Sequence, residues 1–253
     1  KKKIDLIIIN KKKLFPGAAR NVGILKAKYD YIAFLDINTL PYEKNWLKIN
    51  FNYMLKNNLD GLCGQTYYLA NNYKERIIRA STYGKAYLRT IPGSIFKKQT
   101  IIEVGFFDID TRAGEDTDWL KRLDTFNLKI KNSVKPIYYK GLYNTSLETI
   151  IKKWFRNYLY SSNLTHLSTQ KTFYIFGFFL TMFIIIFNWN HASFNWPDGL
   201  GIYFPHITKT YLAICSLSYV IFRGFYIPLK KKIRKNFLLP FNFLIISILS
   251  FIL

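Results

Sequence analysis

The chain has 253 residues, half of them hydrophobic and 18% aromatic, and its 37 lysines and arginines exceed its 15 acids by 22 charges. This hydrophobic content excludes a disordered chain, and the two isolated cysteines are too few for a disulfide framework. The positive charge suits an anionic membrane surface or a phosphorylated substrate, and because no nucleic-acid-binding motif accompanies it, we expect no nucleic-acid partner.

Short apolar runs alternate with helix-forming segments over the first seventy residues. Ile4–Ile9, Tyr31–Leu35 and Gly61–Leu69 have the length and composition of buried strands. Between them we predict one helix from about Ala18 and a second helix whose first turn would contain Pro41. This alternation of strand and helix predicts an α/β fold, with a mostly parallel sheet covered by flanking helices.

The sequence DINT begins where the second predicted strand ends. Ligands of open α/β sheets bind at the carboxyl ends of the strands. Asp36 and Asn38 lie two residues apart, so both can direct an oxygen toward one point. Such oxygen pairs suit Mg²⁺ or Mn²⁺ held partly by substrate phosphates. An ordinary turn at the strand end is the alternative, because Asp and Asn often begin turns.

The sequence GEDTDWLKRL places three of the chain's few acids within four positions: Glu115, Asp116 and Asp118. We predict a helix that begins at Glu115, since acids in its first turn and basic residues further along match the helix dipole. Adjacent carboxylates repel, which raises the free energy of their ionised forms. Helix capping therefore explains one acid here better than it explains two neighbouring ones.

Two segments, PGAARNVGILKAKYDYIAFLDINTLPYEKNWL and VGFFDIDTRAGEDTDWLKRL, together resemble the family-2 glycosyltransferases of GT-A fold. The resemblance covers roughly residues 14–123 and implies a partial GT-A catalytic domain over residues 1–145. It begins in what resembles the family's third strand. We therefore expect the domain to be truncated at its N-terminus, with part of the donor pocket missing.

The resemblance implies a role for each candidate site residue. Asp116 falls on the catalytic base, with Glu115 beside it, and Asp36 and Asn38 fall on the Asp-x-Asp site that holds Mg²⁺ or Mn²⁺ and the nucleotide diphosphate. The residues implied to bind the nucleotide sugar are Gly17, Arg20, Asn21 and Asp36. Asn38 departs from the family pattern, because a neutral amide replaces the usual second carboxylate.

Residues 146–168 have the pattern of an amphipathic helix that lies in a membrane interface. Its apolar face contains Leu147, Ile150, Ile151, Trp154, Phe155, Tyr158 and Leu159, and its basic face contains Lys152, Lys153 and Arg156. A helix that packs on the catalytic domain is the alternative interpretation.

Residues 169–253 contain three apolar stretches, at about 173–189, 207–228 and 237–253. We predict two to three transmembrane helices here, and therefore membrane lipids as partners. The segment Lys230–Lys235 is rich in basic residues, whereas residues 188–207 contain no Lys or Arg. The positive-inside rule then predicts a multi-pass protein of the bacterial inner membrane whose catalytic domain is cytoplasmic.

These features favour a membrane-anchored, inverting glycosyltransferase that moves a sugar from a nucleotide-diphosphate donor to a lipid-linked or cell-envelope glycan acceptor. A processive polysaccharide synthase or a polyprenyl-phosphate sugar synthase is an alternative, although KKWFRNY is not the Gln-x-x-Arg-Trp segment usual in processive enzymes. A non-catalytic membrane protein whose transferase-like domain only binds is an alternative of another class, favoured by Asn38.

Overall fold

A computed structural model describes residues 7–9, 14–142, 146–161, 164, 168–186, 207–238 and 241–252. The strands are β1 Tyr31–Ala33, β2 Thr39–Pro41, β3 Gly61–Tyr68, β4 Leu88–Lys97, β5 Ile130–Asn132 and β6 Ile137–Tyr139. The helices are α1 Pro16–Lys26, α2 Trp46–Lys56, α3 Tyr73–Ser81, α4 Lys98–Val104, α5 Glu115–Leu123, α6 Leu147–Ser161, α7 Ser168–Ile186, α8 Ile207–Ile221, α9 Ile227–Lys230, α10 Lys235–Leu238 and α11 Asn242–Ile252. A π-helical turn, Phe222–Tyr226, joins α8 to α9.

The described strands form one mixed sheet in the order β1-β4-β3-β6-β2, and β5 pairs with β3 beside this path. β1 with β4, β3 with β4 and β2 with β6 are antiparallel pairs, whereas β3 is parallel to β5 and to β6. The α/β class is confirmed, but the prediction of a mostly parallel sheet is wrong. The reason lies in α3, which packs against α11 instead of crossing the sheet, so the chain re-enters the sheet in the opposite direction.

Helices cover both faces of the sheet. Because successive strand residues point to opposite faces, Leu62 and Cys63 of β3 belong to different cores. The core on the α2 face consists of Trp46, Met54, Leu59, Leu62, Ile95 and Ile137. The core against α1, α4 and α5 consists of Ile24, Phe34, Cys63, Ile91, Phe96, Ile101, Val104, Phe107, Trp119, Leu120 and Leu123.

Several elements in this region agree with the sequence predictions, and three predictions differ from the structure. The strand at Gly61 and the helices at Pro16 and Glu115 are present, and β1 ends two residues earlier than predicted. Pro41 lies in β2 and not in a first helical turn, since β2 is an edge strand, where a missing N–H is tolerated. Of the strand predicted at 4–9, residues 4–6 lie outside the described residues, and residues 7–9 have no regular secondary structure.

The predicted amphipathic helix is α6, and its apolar residues divide between two environments. Ile150 is buried, and Ile151 and Trp154 pack with it against the domain that contains the sheet. Phe155 and Leu159 are exposed. Packing on the domain, the alternative interpretation, therefore explains the burial of part of the apolar face. Binding of the remaining apolar residues to a membrane interface stays a prediction.

The described residues of the C-terminal third are mostly helical, with a non-helical connection at residues 231–234. Among those residues, one stretch, Thr208–Lys230, is long and apolar enough to cross a membrane. Ile175–Ile186 and Asn242–Phe251 are shorter apolar helices. The first and third predicted spans include residues 187–189, 239–240 and 253, which lie outside the described residues. More than one transmembrane helix therefore stays a prediction.

Candidate active site

Three of the predicted site residues meet where α1, the end of β1 and the start of α5 converge. The Nη1 atom of Arg20 donates a hydrogen bond of 2.6 Å to Oε1 of Glu115. The Nη2 atom of Arg20 lies 3.6 Å from Oδ1 of Asp36. A cavity of about 440 Å³ opens beside Arg20, between α1 and β1. The fold thus brings together a guanidinium and two carboxylates from segments up to 95 residues apart.

The DINT segment is a tight turn in which residues 36–38 are exposed and Thr39 is buried. The backbone N–H of Thr39 donates to the carbonyl of Asp36 at 3.0 Å, and the Thr39 hydroxyl donates to the same carbonyl at 2.6 Å. Asp36 and Asn38 are both exposed. The backbone therefore forms a turn, as the alternative interpretation states. The side-chain oxygens of Asp36 and Asn38 are exposed, so a ligand can reach them.

Glu115 and Asp116 are neighbours in sequence but have different environments. Glu115 is buried, and this burial, together with the charge of Asp116, raises its pKa, while Arg20 opposes the shift. Asp116 is half-buried, and its Oδ1 accepts the N–H of Thr117 at 2.8 Å. Successive helical residues point about 100° apart. The Glu115 carboxylate is therefore hydrogen-bonded to Arg20, whereas the Asp116 side chain points in a different direction.

The charges of Asp116 and Asp36 both affect the pKa of Tyr68. Tyr68 at the end of β3 stacks on Tyr83, with ring centroids 3.6 Å apart. Burial is the main cause that raises the pKa of Tyr68, and the nearby Tyr83, Tyr139, Asp116 and Asp36 raise it further. The charges of both candidate carboxylates thus influence the titration of Tyr68.

Gly17 and Asn21 hold the loop that precedes α5. The amide of Asn21 donates to the carbonyl of Phe107 at 2.8 Å and accepts the N–H of Phe107 at 3.0 Å. A Cβ atom on Gly17 would overlap the carbonyl oxygen of Asp108, so only glycine allows this close approach. Both residues position the loop in this structure, and their contact with a nucleotide sugar stays a prediction.

Two further residues hold the same loop, and the sequence analysis did not identify them. Trp119 is fully buried, and its indole N–H donates to the carbonyl of Gly105 at 2.7 Å. Arg122 donates to the carbonyls of Val104 and Phe106 and pairs with Asp118 at 3.0 Å. Trp119 and Arg122 are three residues apart on α5, so both lie on the helix face toward the loop. A helical projection of the sequence would therefore have placed them together.

The described part of the chain brings few metal-binding side chains together. Within the described ranges, no group of three or more His, Cys, Asp or Glu side chains could hold one. The turn supplies one carboxylate, from Asp36, and one amide oxygen, from Asn38. This pair fits a hard cation that takes most of its ligands from phosphate and water, and it does not fit a cation held by protein alone.

Residues 2–123 match the sequence model of the family described as Glycosyl transferase family 2. This part of the chain is a family-2 glycosyltransferase domain. The protein is therefore a glycosyltransferase, and the family implies a GT-A fold, a nucleotide-sugar donor and an acceptor. The glycosyltransferase domain contains all seven predicted site residues. No curated protein matches the chain.

Proposed function

We propose that the protein is a membrane-anchored, inverting glycosyltransferase that transfers a sugar from a nucleotide diphosphate to a lipid-linked or cell-envelope glycan acceptor. The observation that carries this proposal is the meeting of Arg20, Asp36 and Glu115 within the glycosyltransferase domain, with Asp116 next to Glu115 in the sequence. One carboxylate there is engaged by Arg20, and its neighbour is available for chemistry.

Asp116 serves as the general base. Its carboxylate accepts the proton of the acceptor hydroxyl while that oxygen attacks the anomeric carbon and the bond to the nucleoside diphosphate breaks. The N–H of Thr117 orients the carboxylate through its 2.8 Å hydrogen bond. Attack from the face opposite the leaving group inverts the anomeric configuration.

Arg20 and Glu115 serve the donor side. Glu115 fixes the guanidinium at 2.6 Å, so its position next to Asp36 is set before the donor binds. A guanidinium presents several donors in a planar fork, which matches the oxygens of a diphosphate. In this arrangement Glu115 is a positioning residue, and Arg20 stabilises the negative charge of the departing diphosphate.

Asp36 and Asn38 would hold the Mg²⁺ or Mn²⁺ ion, together with the donor phosphates. When bound, such an ion neutralises charge on the leaving diphosphate. An amide oxygen lacks the charge that offsets dehydration of a hard cation. The ion should therefore bind with the donor and only weakly to the free protein.

A Mn²⁺ titration with and without nucleoside diphosphate tests this prediction. Asn38→Asp adds a second carboxylate and should tighten Mn²⁺ binding in the absence of nucleotide, whereas Asp36→Ala should weaken nucleotide binding in the presence of Mn²⁺. Asp110→Ala, an exposed acid outside the turn, is the matched control. Nucleotide binding that is independent of Mn²⁺ in every variant would contradict the metal site.

The function itself is tested by a transfer assay on the full chain in native membranes. A panel of labelled nucleotide sugars is supplied with a lipid extract, and lipid-soluble label and nucleoside diphosphate are measured. We expect one donor to give both products in equal amounts, with inverted anomeric configuration. Donor binding without release of nucleoside diphosphate would instead favour the binding-only alternative.

The membrane part of the proposal is supported by Thr208–Lys230 and by the basic segment Lys230–Lys235 that follows it. Most side chains of this stretch are exposed, as expected for a helix surrounded by lipid. With the basic segment on the cytoplasmic side, the glycosyltransferase domain lies where nucleotide sugars are made. We propose the bacterial inner membrane, with several spans, as the location.

The two native cysteines test whether this helix lies in the bilayer. Cys215 is exposed in the middle of the stretch, whereas Cys63 is buried in the domain core. A hydrophilic maleimide should leave both thiols unlabelled in intact membranes and should label only Cys215 after detergent solubilisation. Rapid labelling of Cys215 in intact membranes would show that the helix does not span the bilayer.

A further inference from the structure

A second cavity lies between the glycosyltransferase domain and the segment that follows the candidate span. Its volume is about 570 Å³, and it is bordered by the end of β3, by α3 and by residues 233–237. Its lining contains four cationic side chains, those of Arg76, Arg79, Lys85 and Arg234. It contains no residue of the candidate active site.

The cationic side chains of this cavity lack a matching negative charge. Its lining includes no Asp or Glu. Glu75 on the same helix is turned to the preceding loop, where it accepts hydrogen bonds from Asn71 and Asn72. The pKa of Lys85 is lowered by burial and by repulsion from Arg79, Arg234 and Arg76. An anion in the cavity would relieve this repulsion.

Arg79 supplies the most specific evidence for a ligand. Its side chain is almost fully buried, at 5% exposure, and its Nε has no hydrogen-bond partner. Its Nη1 donates to the carbonyl of Tyr68 at 3.0 Å, which fixes the guanidinium in place. A buried charged donor without a partner is costly, and Arg79 lines the cavity, so an anion beside its guanidinium would offset part of that cost.

The walls of the cavity are firmly joined. The Ser250 hydroxyl donates to the carbonyl of Ser81 at 3.1 Å, and the N–H of Lys85 donates to the carbonyl of Lys231 at 2.8 Å. Ile77 and Ala80 of α3 share a buried cluster with Ile233, Leu238 and Ile246. The cavity is therefore formed by packed elements on both sides and not by exposed loops.

We propose that this cavity binds a phosphate-bearing group, a phosphomonoester or a diphosphate. Three arginines and a lysine suit such a group, because guanidinium forks match phosphate oxygens and the anion balances the clustered charge. Residues 233–237, which line the cavity, come shortly after the candidate span Thr208–Lys230 in the sequence. A lipid headgroup and a soluble phosphate can therefore both supply the phosphate-bearing group. The site is independent of the transfer reaction proposed above.

The test is a calorimetric titration of inorganic pyrophosphate into the solubilised full chain. Divalent metal is omitted, so that binding at Asp36 is not favoured. Arg234→Gln and Lys85→Gln change residues at the rim and should each weaken binding by about tenfold or more, as expected for loss of a charge-assisted contact. Arg89→Gln is the matched control, because Arg89 is outside this cavity and pairs with Asp124.

Arg79→Gln should abolish pyrophosphate binding, and its thermal unfolding shows whether the variant still folds. Equal affinity in the wild type, Arg234→Gln and Lys85→Gln would overturn the proposal, as would loss of binding in Arg89→Gln. Phosphatidylcholine vesicles that contain phosphatidic acid identify the source. If they compete with pyrophosphate, whereas pure phosphatidylcholine vesicles do not, the group is a lipid headgroup. If neither vesicle competes, it is a soluble phosphate.

Discussion

Replacing Asp116 by Asn should lower the transfer rate by about 10²- to 10⁴-fold, because the amide keeps the shape of the side chain but cannot accept the proton. Donor binding should change little, since Arg20 is held by Glu115 and not by Asp116. The measurement is single-turnover transfer together with nucleotide-sugar affinity. The effect should therefore appear in the chemical step and leave the dissociation constant of the donor almost unchanged.

The matched control is Asp118→Asn, which removes an acid from the same helical turn. Asp118 contacts Arg122 at 3.0 Å, and Arg122 keeps its two carbonyl contacts in this variant. Transfer should therefore be largely retained. If Asp116→Asn and Asp118→Asn behaved alike, the acids would serve only to stabilise the helix N-terminus, and the assignment of a general base would fail.

The sequence predicted the position of the site better than the direction of its side chains. Asp36, Arg20 and Glu115 were each identified as site residues, and the fold brings them together. Asn21 could not share the orientation of Arg20, because consecutive helical residues point about 100° apart. The same geometry separates Glu115, which contacts Arg20, from Asp116.

The sheet shows where sequence periodicity stops being informative. An apolar run identified β3, but nothing in such a run states the direction of its partner strand. β4 is antiparallel to β3 because α3 packs on α11, a contact between residues about 170 positions apart. The short edge strand β2 was missed for a local reason, since three residues that end in Pro41 resemble the start of a helix.

The C-terminal region shows the same limit for amphipathic patterns. The apolar face of α6 was correctly located, but composition alone cannot state whether a protein core or a lipid surface covers it. The structure shows Ile150 and Trp154 against the domain and leaves Phe155 in solvent. α11 was predicted to span the membrane, yet its Ile246 and Ser250 are buried against α3.

Arg20→Met should cause the largest loss of stability among the site variants. The side chains of Arg20 and Glu115 are 14% and 6% exposed, so the substitution leaves a buried carboxylate without its partner. Breaking such a pair typically costs about 3–5 kcal/mol. The control is Lys152→Met, which breaks a pair whose side chains are 75% exposed and should have a small effect. Thermal unfolding of the solubilised protein measures both.

The pH dependence of the stability loss in Arg20→Met distinguishes the effect of the lost charge from the effect of lost packing. The pKa of Glu115 is raised by burial, and Arg20 is the group that opposes this shift, so the variant should raise it further. A folded state with a raised carboxyl pKa binds more protons than the unfolded chain. Its stability therefore falls as pH rises from the unfolded value near 4.5 through the folded pKa. The deficit of Arg20→Met should be small in acid and largest at neutral pH.

Glu115→Gln in the Arg20→Met background tests the contribution of the Glu115 charge. The second substitution removes the titrating group, so it should recover stability at neutral pH and abolish the pH dependence of the deficit. It should not recover nucleotide-sugar binding, because the positive charge next to Asp36 is still missing. A deficit that is equal at every pH, and that Glu115→Gln does not reduce, would mean that Arg20 stabilises the domain through packing of its alkyl chain, and Glu115 would lose its role as the residue that positions the guanidinium.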